Sequence, residues 1–105
     1  MRQFKTVELD ELPAKLEENL IYIVGENGYQ WYAAMLCPCS CGDIIFLNLL
    51  KERWPFWKIY FDKRKVSIKP SIWRTKKCKS HFFIKQSKII WALSAFEHKK
   101  FKTWD

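Results

Sequence analysis

Cys37, Cys39 and Cys41 stand at alternate positions in the stretch LCPCSCGD (36–43), and the fourth cysteine opens Cys78-Lys79-Ser80-His81. Thiols and imidazoles at these spacings are metal-ligand chemistry: Cys-x-x-His lets both side chains reach one ion, and two converging loops build a tetrahedral site. Pro38 stiffens the first loop. Gly42 permits a close turn that brings backbone amides toward thiolate sulfurs. Five candidate ligands exist (Cys37, Cys39, Cys41, Cys78 and His81), and a closed zinc site takes four. The reading keeps Cys78 and His81 and leaves open which of the three clustered cysteines is spare.

Other uses of the thiols fit less well. Free cysteines are often buried as small hydrophobes, but three at alternate positions beside Pro and Gly pack a core poorly. A disulfide between Cys78 and the cluster suits an oxidising compartment, which the rest of the chain does not suggest. A nucleophilic Cys–His pair would need an orienting third group and an oxyanion loop, and no residue is singled out as catalytic. The main rival to zinc is a Rieske-like [2Fe–2S] cluster, in which two His sit on one iron. Cys78 and His81 match its second loop. The first loop has a cysteine where a histidine is needed, and the only other histidine, His98, lies in the basic tail.

The segments flanking these loops read as strands. Period-two alternation and turn residues place them at 20–24, 29–36, 43–49, 57–61, 65–68, 81–85 and 88–93, with 71–77 extended. Residues 25–28, GENG, read as a turn in which Gly25 and Gly28 take positive φ. Residues 9–19 allow a short N-terminal helix capped by Asp10, with Pro13 early. The predicted fold is mainly β: a small single domain (1–105) of antiparallel hairpins, zinc-ribbon or Rieske-like, with a core over about 20–93 and a basic tail at 94–105.

Composition agrees with a folded chain: 105 residues, 49% hydrophobic and 17% aromatic, unlike a disordered segment. No apolar run reaches the ~18 residues that span a bilayer, and the N-terminus lacks a secretory pattern. A cytoplasmic location with no membrane partner is the expectation. The net charge of +8 is unevenly spread: residues 1–50 carry 3 Lys/Arg against 7 Asp/Glu, and residues 51–105 carry 16 against 4. In WPFWKIYFDKRK (54–65), Trp54, Phe56, Trp57, Tyr60 and Phe61 interleave with Lys58, Lys63, Arg64 and Lys65. Aromatics with cations can bind single-stranded nucleic acid or steer an acidic protein partner. The plain alternative is that the aromatics alternate into the core and the cations form a solvated face. Arg74, Lys76, Lys77 and Lys79 surround the second metal loop, where they would also offset thiolate charge. With Lys63, Arg64 and Lys65 they form the candidate partner surface. Asp43 reads as a turn residue, and Ser71 and Ser80 as hydrogen-bond donors to backbone or sulfur.

CPCSCG after Gly25, Asn48-Leu49, a Trp-rich strand, VSIKPSIW (66–73), CKSHF (78–82) and IIW (89–91) together resemble a family of small bacterial proteins. Its signature is CPCGCG, a Pro-Ser motif and Cys-x-Ser-His-aromatic. The resemblance covers residues 7–93, with Ser40 in place of the family's Gly, a change that restricts only the backbone of the turn. It implies that Cys37, Cys39, Cys41, Cys78 and His81 are metal ligands. It also implies a neighbourhood: such proteins are often encoded beside ubiquitin-like proteins and their activating and conjugating enzymes, in operons linked to phage defence.

The resulting expectation is a non-enzymatic zinc-binding adaptor in a ubiquitin-like conjugation pathway, meeting a protein partner through its basic face. The alternatives are a Rieske-like iron–sulfur redox protein and a nucleic-acid-binding zinc protein.

Overall fold

The run LIYIV is apolar at consecutive positions, which marks a strand covered on both faces. In the computed structural model, which describes residues 3–74 and 78–92, it opens β2 (Leu20–Glu26), inside a sheet of β1 (Lys5–Leu9), β2, β3 (Tyr29–Leu36) and β4 (Ile44–Asn48) in that order. A second sheet holds β5 (Lys58–Asp62), β6 (Lys65–Trp73), β7 (His81–Lys85) and β8 (Lys88–Trp91). All pairings are antiparallel except β1 with β2. The mainly β reading, built from antiparallel hairpins, is therefore correct.

The two sheets share one core. Ile21, Ile23, Met35 and Leu47 of the first sheet cluster with Val66, Ile68, Ile72, Phe82 and Ile84 of the second. Phe82 is fully buried. Phe82→Ala is expected to cost about 3–5 kcal/mol, read as a lower urea midpoint with an unchanged m-value. The other face of the first sheet buries Tyr22 and Ala34 under Leu16, with Leu12 and Leu20 packed beside them.

That cover is the segment expected as a short helix, and no helix forms among the described residues. Residues 10–19 are bends and turns instead. The Glu17 N–H, which a helix would give to the residue 13 carbonyl, donates to the Tyr22 hydroxyl at 2.8 Å. Packing its leucines on the sheet outweighs a helix too short to be stable alone. β1, which the sequence reading did not contain, hydrogen-bonds to β2 and sends Phe4 into the core.

Three hairpins close through two-residue turns with both central residues at positive φ: Asn27-Gly28, Lys63-Arg64 and Gln86-Ser87. Such turns match the twist of the strands they join. Gly28 has the expected positive φ. Gly25 instead sits at a register shift within β2, where an added Cβ would collide with the Tyr29 carbonyl.

Candidate functional site

Both cysteine loops lie at one end of the sandwich. The first joins β3 to β4: the Cys37 N–H donates to the Asp43 carbonyl at 2.9 Å and the Ser40 N–H to the Cys37 carbonyl at 3.1 Å. Ser40 has φ 70° and Gly42 φ 89°. The left-handed backbone at Ser40 is the conformation that glycine adopts without steric cost. The second loop joins β6 to β7 and is pinched by the Arg74 N–H on the Ser80 carbonyl at 2.7 Å.

The two loops bring all four cysteines together. Their sulfurs lie within 4.8 Å of one another, with Cys37 Sγ 3.3 Å from Cys39 Sγ and 3.6 Å from Cys78 Sγ. A tetrahedral zinc with Zn–S bonds of about 2.3 Å would set its sulfurs about 3.8 Å apart. All four are free thiols, so no disulfide joins them. The group can hold a metal ion.

The surroundings favour the thiolate at Cys78 and oppose it at Cys37. The Ser80 hydroxyl donates to Cys78 Sγ at 3.2 Å, and this bond is the main reason the Cys78 thiol drops to about 6. Burial pushes the Cys37 thiol up to about 12, so charge at that sulfur needs a counter-charge. Arg74 is placed to supply part of it. Burial opposes its charge, but the sulfurs of Cys78 and Cys37 and the Asp43 carboxylate outweigh that and raise its pKa. Its Nη2 reaches Asp43 Oδ2 at 3.3 Å, tying the second loop to the first. Its buried Nη1 has no hydrogen-bond partner among the described residues. A donor left over beside a sulfur cluster fits a site whose sulfurs are ionised, since four thiolates around a divalent cation keep a net negative charge and accept hydrogen bonds.

His81 lies outside this group. Its Nε2 is 3.0 Å from the Ser71 hydroxyl oxygen, and its ring stacks on Trp73 at 4.7 Å with 5° between the planes. Phe83 packs against it at 5.8 Å. The pair depends on an irregularity in β6. Between Ile68, opposite Ile84, and Ile72, opposite Phe82, β6 has two more residues than β7. The extra backbone carries Pro70 and turns Ser71 toward the first residue of β7. Bulges commonly re-aim side chains in this way. The Trp57 indole N–H holds the Ser71 carbonyl at 3.3 Å. The expectation that Ser80 bonds sulfur holds, whereas Ser71 bonds a histidine, a contact the sequence reading missed. A proline inside a strand paired on both sides was the available signal, because it marks a bulge.

One consequence is measurable. His81→Ala is expected to leave the metal content at about one ion per chain by elemental analysis. Loss of the metal would instead return the histidine to the ligand set.

The candidate partner residues divide. Lys63 and Arg64 form an exposed hairpin tip with Lys65 beside them, and Lys79 is exposed. Arg74 is turned inward to Asp43. Lys76, Lys77 and the tail at 94–105 with His98 lie outside the described residues. The aromatics of 54–61 also divide: Trp57 packs against the core, whereas Trp54 is 87% exposed and Tyr60 and Phe61 about half exposed.

A family model described as the bacterial ubiquitination-like system serine protease (BubE) matches residues 8–92. The chain belongs to this family. The match includes every cysteine and the Ser71–His81 pair. No match was found among curated proteins or solved structures. Membership places the chain with a bacterial ubiquitination-like system, as its resemblance implied.

Proposed function

We propose that this protein is a serine hydrolase of a bacterial ubiquitin-like conjugation system, with Ser71 as nucleophile, His81 as its base and a structural zinc held by Cys37, Cys39, Cys41 and Cys78. The carrying observation is the 3.0 Å contact between Ser71 Oγ and His81 Nε2, within hydrogen-bond reach for a nucleophile and its base. The family's description as a serine protease supports it. Three other serines make contacts of a different kind: Ser67 and Ser87 accept backbone N–H groups and Ser80 donates to sulfur.

In this reading Nε2 takes the hydroxyl proton as Oγ attacks the scissile carbonyl. The leaving group departs with that proton, and water then cleaves the acyl-serine with His81 again as base. Trp73 holds the imidazole plane. Zinc suits the site because four thiolates make a closed tetrahedral set, and closed sites are structural. It would join the β3–β4 loop to the β6–β7 loop, with Cys78 three residues before His81 and Ser71 on the strand at the loop's other end. The donor set contains no imidazole, which counts against a Rieske-type cluster.

The test is reaction of the purified protein with a fluorophosphonate probe, followed by mass mapping. A single adduct on Ser71, lost in His81→Ala, is the expected result. A protein that carries zinc, stays unlabelled and co-purifies with a conjugation enzyme would replace this reading with the non-enzymatic adaptor.

A further inference from the structure

Val66, Ile68 and Ile72 point into the core, so Lys69, Ser71 and Trp73, which alternate with them, project from the opposite face of β6. Lys58 stands opposite Lys69, and Tyr60 opposite Ser67, on that same outer face. A groove of about 370 Å³ opens there, lined by Trp54, Phe56, Lys58, Tyr60, Lys69 and Pro70 among its residues. Its wall therefore ends at the residue next to Ser71. A larger hollow of about 730 Å³ beside β8 includes no residue of β5 or β6.

The groove's chemistry is specific. Trp54, Phe56 and Tyr60 make its lining largely aromatic, and an indole as exposed as that of Trp54 is an unusual surface feature, of the kind that anchors interfaces. Its charged residues are both lysines, with no carboxylate in the lining. Lys69 Nζ lies 5.7 Å above the Tyr60 ring, which holds that charge at the groove. Lys63, Arg64 and Lys65 extend the positive field along the hairpin tip.

We propose that this groove binds an acidic peptide segment of the substrate, with a carboxylate between Lys58 and Lys69 and an apolar side chain against Trp54 and Tyr60, so that the adjoining bond reaches Ser71. This rests on the reading of Ser71 as nucleophile, which supplies the reason for a peptide in this place. Single-stranded nucleic acid could use the same aromatics and cations, but nothing in that use requires the groove to end beside Ser71.

Binding is measured by fluorescence anisotropy with the full chain carrying Ser71→Ala, so that the peptides stay intact. The probes are a labelled octapeptide with three acidic and two leucine residues, its lysine counterpart, and an oligothymidylate. The acidic peptide is expected to bind best, and Lys58→Glu with Lys69→Glu to weaken it by about tenfold or more while improving uptake of the lysine peptide. Trp54→Ala should weaken both peptides. Equal binding of the acidic and lysine peptides, or tighter binding of the oligonucleotide, overturns the proposal. Fluorophosphonate labelling of the wild type separates the two layers. Labelled Ser71 without acidic preference removes the groove and keeps the nucleophile. Acidic preference without labelling keeps the groove and removes the nucleophile.

Discussion

Ser71→Ala is expected to lower turnover of a fluorogenic ester or peptide by about three orders of magnitude or more, with little change in melting temperature. The hydroxyl is half-buried and its bond to His81 is one hydrogen bond, worth about 1 kcal/mol to stability. His81→Ala should cost a similar factor in rate. The decisive result is the double variant. A nucleophile and base that act as a unit are strongly non-additive, so removing both should cost no more than removing either. Two merely structural residues would give independent, modest losses in rate that multiply. Activity retained in Ser71→Ala would overturn the hydrolase reading directly.

The second large effect concerns the metal. Cys78→Ser, or stripping with a strong chelator, is expected to release the ion and lower stability by about 3 kcal/mol or more, because metal binding and folding are coupled. For a domain of this size that corresponds to a fall of about 15 °C in melting temperature. Cys37→Ser should be at least as severe, since Cys37 is 4% exposed and belongs to the shared core. Without the ion, the charged tie between the loops among the described residues is the Asp43–Arg74 pair, joined at 3.3 Å and partly open to solvent. Equal metal content and melting temperature in wild type and Cys78→Ser would remove the metal site. Iron with visible absorption in place of colourless zinc would change its chemistry from structural to redox. In the zinc reading, loss of the ion should also slow fluorophosphonate labelling, since the loop that leads into His81 would lose its anchor.

These two effects differ in how far the sequence announced them. Thiols in two short loops are a local signal, because the spacing of Cys37, Cys39 and Cys41 by itself confines three sulfurs to one turn. The sequence reading kept Cys78 and His81 as ligands and left open which of Cys37, Cys39 and Cys41 was spare, whereas the group that gathers holds all four cysteines. In the structure the four sulfurs gather and the histidine goes elsewhere. Spacing could not decide this, because Cys-x-x-His limits how far His81 can be from Cys78 but not which face of β7 it occupies. His81 begins a strand whose next residue, Phe82, points into the core, so its ring must take the outer face, toward Ser71 and Trp73.

The strands themselves were legible from residues alone. Alternation in KVSI and WKIYF, consecutive apolar residues in LIYIV and turn residues between them determine where seven of the eight strands lie, because a half-buried or fully buried pleat demands those patterns. β1 escaped because KTVEL is short and mostly polar: only Val7 and Leu9 mark its inner face, partly buried against the Tyr22 and Ala34 cluster, and backbone pairing with β2 sets its place. The leucines of 9–19 fit a helix by spacing and a covering strap by contact, and the sheet beneath them settled the choice. Residue types and local spacing thus specify the set of strands, the cysteine loops and the excess of positive charge in the second half. The meeting of Ser71 with His81 and the lysine-lined aromatic groove beside them arise only when the sheets assemble. Both depend on the register of β6 against its two neighbours and on the bulge around Pro70, and register between strands distant in sequence is a property of the assembled sheet.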